Sequence, residues 1–181
     1  MYRVYIAGPS VFRPDAIQEG KRLQKICLEK GLEGLYPLDN VMPDTLGIPR
    51  KSSEVTDWIK ISNVNLIKQC HAVIADVSPF RGPNMDPGTA WECGYAEAIG
   101  KLVFYWTNDP RVLRDRIEGV EYSSVDNSPW FYRDGNGLII EDLGNVENLM
   151  ITGIPASGPF HSFEGAVKVV SDIFNRQITA L

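Results

Sequence analysis

Between His71 and Asp76 the chain reads Ala-Val-Ile-Ala, apolar at every position until it ends on an acid. A strand that alternates polar and apolar residues can leave one face in water. A strand that is apolar throughout has to be covered on both faces, which is the habit of parallel sheets flanked by helices. The runs Val4-Tyr5-Ile6-Ala7 and Leu102-Val-Phe-Tyr-Trp106 repeat the pattern, and a shorter strand is expected at residues 35–38. Between these runs lie segments of helical character. Residues 15–30 carry Ile17, Leu23, Ile26 and Cys27 among helix formers and stop at Gly31. Residues 53–69 put Val55, Ile59, Val64 and Ile67 on one stripe, residues 87–99 run up to a capping glycine at Gly100, and residues 162–174 are amphipathic.

Strands alternating with helices specify an α/β fold: a flavodoxin-like open sheet of about five parallel strands with helices on both faces. The fifth strand precedes the last helix but has no sharp signal. Residues 107–144 are rich in turn residues, with a hairpin expected around Leu138-Ile139-Ile140. At 181 residues a single domain spanning 1–181 is expected, and 44% hydrophobic against 23% charged residues is the composition of a globular chain.

The formal net charge is -5 and no run of Lys and Arg exists, so the electrostatic footprint of a nucleic-acid partner is missing. Cys27, Cys70 and Cys93 are odd in number and sit in apolar or helical stretches, the pattern of reduced core thiols. With only His71 and His161 beside them, a zinc site is not expected. No stretch reaches the roughly 20 apolar residues of a membrane span, and the N-terminal apolar run is too short for a signal peptide. A cytoplasmic protein without a membrane partner is the expectation.

In such sheets ligands bind beyond the carboxyl ends of the strands. Here those ends are residues 8–12, Asp39-Asn40, residues 76–86 and the segment after Trp106. The segment from Asp76 to Ala96 holds the chemistry. Asp86-Pro87 is a good helix start, with Asp as N-cap and Pro at the first helical position, which gives Asp86 a structural reading. Glu92 is harder to explain structurally. Its helix reads apolar nearly all round, so burial is expected, and no Lys or Arg stands at helical spacing to pair with it. Gly88, one turn earlier, would leave space above the carboxylate. Two carboxyls in one crevice suit retaining glycosyl transfer, in which one attacks the anomeric carbon and the other handles the proton of the leaving group.

Four motifs in order resemble the nucleoside 2-deoxyribosyltransferase family: Tyr5-Ile6-Ala7-Gly8-Pro9 with Phe12, Pro37-Leu38-Asp39-Asn40, Asp86-x-Gly88-x-x-x-Glu92-x-Gly94, and Asn148-Leu149-Met150. The resemblance implies a 2-deoxyribosyl group passed between nucleobases through a covalent intermediate on Glu92, with a 2′-deoxynucleoside and a free nucleobase as substrates. It implies that Tyr5 orients Glu92, although a tyrosine on a buried strand is otherwise a core residue. Asp86 would protonate the leaving base. Phe12 would pack on the base, and Asn65, Asp76 and Gly88 would complete substrate binding. Asn148 and Met150 would bind the sugar of a neighbouring subunit's substrate, making a homo-oligomer part of the site. No metal or organic cofactor is called for. The chain departs from the family pattern at Val41, where bacterial members often carry an amide, and in longer segments at 78–83 and 111–144.

Two other functions compete. A 2′-deoxynucleoside 5′-monophosphate N-hydrolase would need phosphate donors, for which Ser10, Arg13, Ser78 and Arg81 are available. A non-catalytic nucleotide-binding domain would use the same fold without turnover. A dinucleotide site is disfavoured because the turn after the first strand is Gly8-Pro9-Ser10-Val11-Phe12, not Gly-x-Gly-x-x-Gly.

Overall fold

The structure is a computed structural model and describes residues 1–40, 53–122, 132–153 and 158–179. Val41 and most of the segment after Asn40 lie outside the described residues. Four strands form a parallel sheet in the order β2-β1-β3-β4: β1 (Tyr2–Ala7), β2 (Leu32–Leu35), β3 (Ala72–Asp76) and β4 (Leu102–Trp106). The helices are α1 (Ala16–Glu29), α2 (Ser53–Gln69), α3 (Pro87–Ala98), the short α4 (Leu149–Thr152) and α5 (Phe163–Thr179).

Side chains of successive strand residues point to opposite faces, which explains why the strands are apolar throughout. Val4 and Ile6 of β1 join Ile74 and Phe104 in a core closed by Leu23 and Cys27 of α1 and by Phe163, Val167 and Val170 of α5. Tyr5 and Ala7 face the other way, with Val73, Ala75 and Tyr105, against Ile67 of α2 and Cys93 and Ala96 of α3. Fully burying one such aliphatic side chain contributes about 1.5–3 kcal/mol, so each layer is anchored by several. The same alternation puts the Tyr5 ring under α2 and α3. All three cysteines are buried and free. Among the described residues no helix is long and apolar enough to cross a membrane.

The second strand lies earlier than the sequence suggests. Pro37 has no N–H to give a ladder, and residues Pro37–Asp39 form a 3₁₀ turn instead. That turn is fixed by Asp39, whose Oδ2 accepts from Tyr36 N at 2.8 Å and from Gln24 Nε2 at 2.7 Å. The expected fifth strand is reduced to one parallel bridge, Phe160 with Trp106, held by Thr107 N to Phe160 O and Phe160 N to Tyr105 O. The hairpin at 138–140 exists as a bridge between Arg133 and Ile139, and its other strand, β6 (Tyr132–Arg133), pairs antiparallel with β5 (Glu121–Tyr122). Helix α3 is not buried all round: Thr89, Cys93 and Ala96 face the sheet while Trp91, Gly94 and Ala98 are exposed. Its apolar outer face misleads a burial argument made from composition alone.

Candidate active site

Strand β1 ends at Ala7 and is followed by Gly8, whose φ of 153° is one that residues with a side chain rarely adopt. A Cβ at Gly8 would stand 2.8 Å from the Asp76 Cβ, so only glycine lets the first loop lie against the end of β3. Beyond these strand ends lies a cavity of about 570 Å³, walled by Gly8 and Phe12 from the first loop, Asn40, the α2 residues Trp58 and Asn63, and Asp86 and Glu92 of the α3 start. Val55, Trp58, Ile59 and Asn63 share one face of α2 through i, i+3, i+4 and i+8 spacing, which makes that helix a wall rather than a core stripe.

Glu92 points into this space from the second turn of α3. Tyr5, with no exposed surface, donates its hydroxyl to Glu92 Oε1 at 2.6 Å, and the Asn63 side chain also hydrogen-bonds the carboxylate. Burial raises the Glu92 pKa from 4.5 to about 7. The negative charge of Asp86 adds to the rise, and the bonds from Tyr5 and Asn63 oppose it. Burial and the Glu92 charge together push the Tyr5 hydroxyl upward, so it stays a donor. Among the described residues no Lys or Arg forms an ion pair with Glu92. A carboxylate whose pKa is raised to about 7 by burial and which faces a cavity has the acid–base and nucleophilic character of a candidate functional group.

Asp86 is 7% exposed and caps α3. Its Oδ2 accepts from Thr89 N at 2.8 Å and from Thr89 Oγ1 at 2.9 Å, which leaves Oδ1 outside both cap bonds. Gly88 borders the cavity. A Cβ there would come 3.0 Å from Asp86 Oδ2, so the space it preserves belongs to Asp86 more than to Glu92.

A family model for nucleoside 2-deoxyribosyltransferases matches residues 4–150, a span that contains Tyr5, the Asp86 cap, Glu92 and Asn148. The chain belongs to the nucleoside 2-deoxyribosyltransferase family. Enzymes of this family are glycosyltransferases and act on nucleosides. An uncharacterized protein of Schizosaccharomyces pombe is 31% identical over 195 aligned positions, covering 96% of this chain and 90% of the relative. A solved 2-desoxiribosyltransferase from Leishmania mexicana superposes with a TM-score of 0.72 at 31% identity, covering 95% of this chain and 98% of that one. The 2-deoxyribosyltransferase of Bacillus psychrosaccharolyticus, at 19% identity and a TM-score of 0.51 over 63% of this chain and 81% of that one, shares the fold.

Within this deoxyribosyltransferase fold the residues singled out in the sequence do not all converge. Phe12, Asp86, Gly88 and Glu92 border one cavity, and Tyr5, buried behind it, reaches it only through its bond to Glu92. Asn65 does not: it is exposed on α2, and Asn63, two positions earlier, takes the place at the carboxylate. Two residues along a helix is a rotation of about 200°, enough to turn one asparagine to solvent and the other to the cavity. Asp76 lines a neighbouring cavity of about 470 Å³ instead, on the other side of the first loop, where its Oδ1 accepts from Ser78 N at 2.9 Å and burial raises its pKa. Phe12 borders both cavities and stacks on Phe80 with ring centroids 5.2 Å apart.

Asn148 caps α4, its Oδ1 accepting from Met150 N at 3.0 Å and its Nδ2 donating to Glu141 Oε1 at 2.8 Å. Neither it nor Met150, which is 77% exposed, borders the Glu92 cavity of its own chain. Sequence reasoning gave no role to Asn63, Trp58 or Asn40. The Asn40 Nδ2 is buried, borders the cavity and has no hydrogen-bond partner among the described residues, an available donor. Its only sequence signal was its place at the end of the Pro37-Leu38-Asp39-Asn40 motif. Among the described residues no group of three or more His, Cys, Asp or Glu is placed to hold a metal.

Proposed function

We propose that the protein transfers a 2-deoxyribosyl group between nucleobases through a covalent intermediate on Glu92. The observation that carries this reading is the pairing of a buried carboxylate near neutral pKa with a Tyr5 donor, facing a cavity also bordered by the Asp86 carboxyl. Ionised Glu92 attacks C1′ of a bound 2′-deoxynucleoside. The N-glycosidic bond breaks, its electron pair leaves on the base nitrogen, and Asp86 supplies the proton that makes the departing base neutral. A second base then attacks C1′ through a ring nitrogen whose proton passes to the Asp86 carboxylate, the ester bond to Glu92 breaks with its electron pair returning to the carboxylate, and the new nucleoside leaves. The positive charge that develops on the sugar is stabilised by the carboxylate beneath it, in a site where apolar walls strengthen the attraction. Tyr5 and Asn63 hold one rotamer of Glu92 and favour its charged form. Phe12 and Trp58 offer apolar surface for the base, and Asn40 Nδ2 a donor for its edge or the sugar. Asn148 and Met150, turned away from their own cavity, serve a neighbouring subunit's substrate in a homo-oligomer.

Nucleosides are favoured over monophosphates. Of the donors a phosphate would need, Ser10, Arg13 and Ser78 line the Asp76 cavity, not the Glu92 cavity, and Arg81 lines neither, its guanidinium lying over the Phe12 and Phe80 rings. The first three are also engaged: Arg13 grips Asp15 through two bonds of 2.8 and 2.9 Å, Ser10 Oγ is 3.0 Å from the Tyr36 hydroxyl, and Ser78 Oγ accepts from Asn108 N at 3.0 Å. The carboxylates of Asp76 and Glu19 share that lining and repel a phosphate.

The test is mass spectrometry of the intact protein after rapid quenching with a 2′-deoxynucleoside and no acceptor base. A deoxyribosyl adduct mapping to Glu92, and absent from Glu92→Ala, supports covalent transfer. Base release with no adduct at any quench time argues for direct hydrolysis.

A further inference from the structure

Glu147 stands outside the site just described, yet it is 2% exposed and its carboxylate is fully engaged. Its Oε1 accepts from Asn84 Nδ2 at 2.7 Å and from Asn148 N at 2.9 Å, and its Oε2 accepts from Met85 N at 2.7 Å. Two of these donors belong to the loop after β3, immediately before Asp86. The third is the backbone of the residue that caps α4. The Glu147 carbonyl also accepts from Thr152 Oγ1 at 3.0 Å, which closes α4 onto the same residue.

Arg116, 9% exposed and with no guanidinium nitrogen hydrogen-bonded among the described residues, is attracted by Glu147 and Asp109, but among the described residues no ion pair joins it to either, so the Glu147 carboxylate is held by its three hydrogen bonds. Hydrogen bonds to an ionised acceptor are roughly twice as strong as neutral ones, and Glu147 applies two of them to Asn84 and Met85. Met85 is itself packed at 6% exposure in the core layer of Tyr5 and Cys93. The Asp86 backbone is thereby gripped on its N-terminal side by Glu147 and on its C-terminal side by its own cap on Thr89.

We propose that Glu147 is a positioning residue for Asp86, fixing through Asn84 and Met85 the direction in which the Asp86 carboxyl enters the cavity and tying it to the Asn148 cap. It touches no substrate. The catalytic consequence rests on the transfer reaction proposed above; the mechanical coupling does not.

Glu147→Gln tests it. The amide keeps the shape but must turn a donor toward either Met85 N or the Asn84 and Asn148 donors. Amide hydrogen exchange reads the coupling without any substrate. The proposal predicts that exchange at Thr89 N, whose bond is to Asp86 and not to Glu147, rises by about 10-fold together with that at Met85 N. In base exchange, kcat falls by about 10-fold while the donor KM stays within about 3-fold, and Glu147→Gln adds no further loss to Asp86→Asn. Faster exchange confined to Met85 and Asn148 overturns the proposal, as does an unchanged kcat or a loss additive with Asp86→Asn. If Glu147→Gln fails to fold, Asn84→Ala removes one donor only and must shift Thr89 exchange in the same direction by a smaller factor. A native protein that turns over no deoxynucleoside defeats the proposed function alone, because Thr89 exchange still decides the coupling.

Discussion

Tyr5 and Glu92, 87 positions apart, meet through a 2.6 Å hydrogen bond from the phenol to Oε1. The bond crosses from the central strand of the sheet to the second turn of α3, and it stabilises the charged carboxylate against burial. As the proposed nucleophile Glu92 must be ionised, so the free enzyme's kcat/KM should rise with pH on a limb centred at about 7. Tyr5→Phe removes a bond that favours the charged form. The limb should move upward by about one pH unit, and the rate at neutral pH should fall accordingly. A pH–rate profile of both proteins checks this; an unmoved limb separates Tyr5 from the acid–base state of Glu92.

The raised pKa also has a cost in stability. Glu92 in the unfolded chain loses its proton near 4.5, while in the folded chain it holds it up to about 7. Its contribution is therefore fully present below 4.5, declines as pH rises, and is lost above about 7, a change of about 3 kcal/mol. Glu92→Gln, neutral at every pH, should melt at a higher temperature than the native protein at pH 8 and at nearly the same temperature at pH 4.5. Thermal melts across that range measure the difference.

The two asparagines of α2 should behave differently. Asn63→Ala removes a hydrogen bond to Glu92 and should lower kcat by about 10-fold. Asn65→Ala, on the exposed face, should leave kcat and KM unchanged. Equal losses in steady-state assays would mean that the α2 face is misassigned.

Asp86 serves the helix as well as the proposed chemistry. Asp86→Ala should destabilise the fold by about 1 kcal/mol through loss of the N-cap and should lower transfer far more than that loss explains. Thr89→Val, which deletes only the 2.9 Å hydroxyl bond to Asp86 Oδ2, should cost less on both counts. Denaturant unfolding alongside kinetics separates the two roles.

Strands β3 and β4 and helix α1 are legible in the sequence because they bury runs or stripes whose period is written in single residues, whereas of the stripe expected on α2 only Ile67 is fully buried and Val55 and Ile59 line the cavity. The second strand slipped because Leu35-Tyr36-Pro37-Leu38 is as apolar as a strand, while the proline and the Asp39 cap turn it into a 3₁₀ turn. The outer face of α3 was misjudged because Trp91, Gly94 and Ala98 are small or apolar without being buried. Glu92 stood out because a carboxylate without a cation is anomalous in an apolar helix, whereas Asp86 reads first as the cap of that helix and gains interest only as a second carboxyl beside Glu92. Asn63 and Trp58 did not, since a cavity wall has the same helical spacing as a core stripe. Glu147 was invisible for another reason: its partners Asn84 and Met85 lie 63 and 62 positions away in sequence, and nothing local marks a buried acid whose donors come largely from a distant loop.

The central claim is exchange of bases through Glu92, and the most direct measurement is to incubate the native protein and Glu92→Ala with 2′-deoxyinosine and free adenine and follow both bases by chromatography. The account predicts 2′-deoxyadenosine from the native protein and a loss of about 10³-fold or more in the variant. Hypoxanthine released without any new nucleoside, or 2′-deoxyadenosine formed equally well by Glu92→Ala, would contradict it.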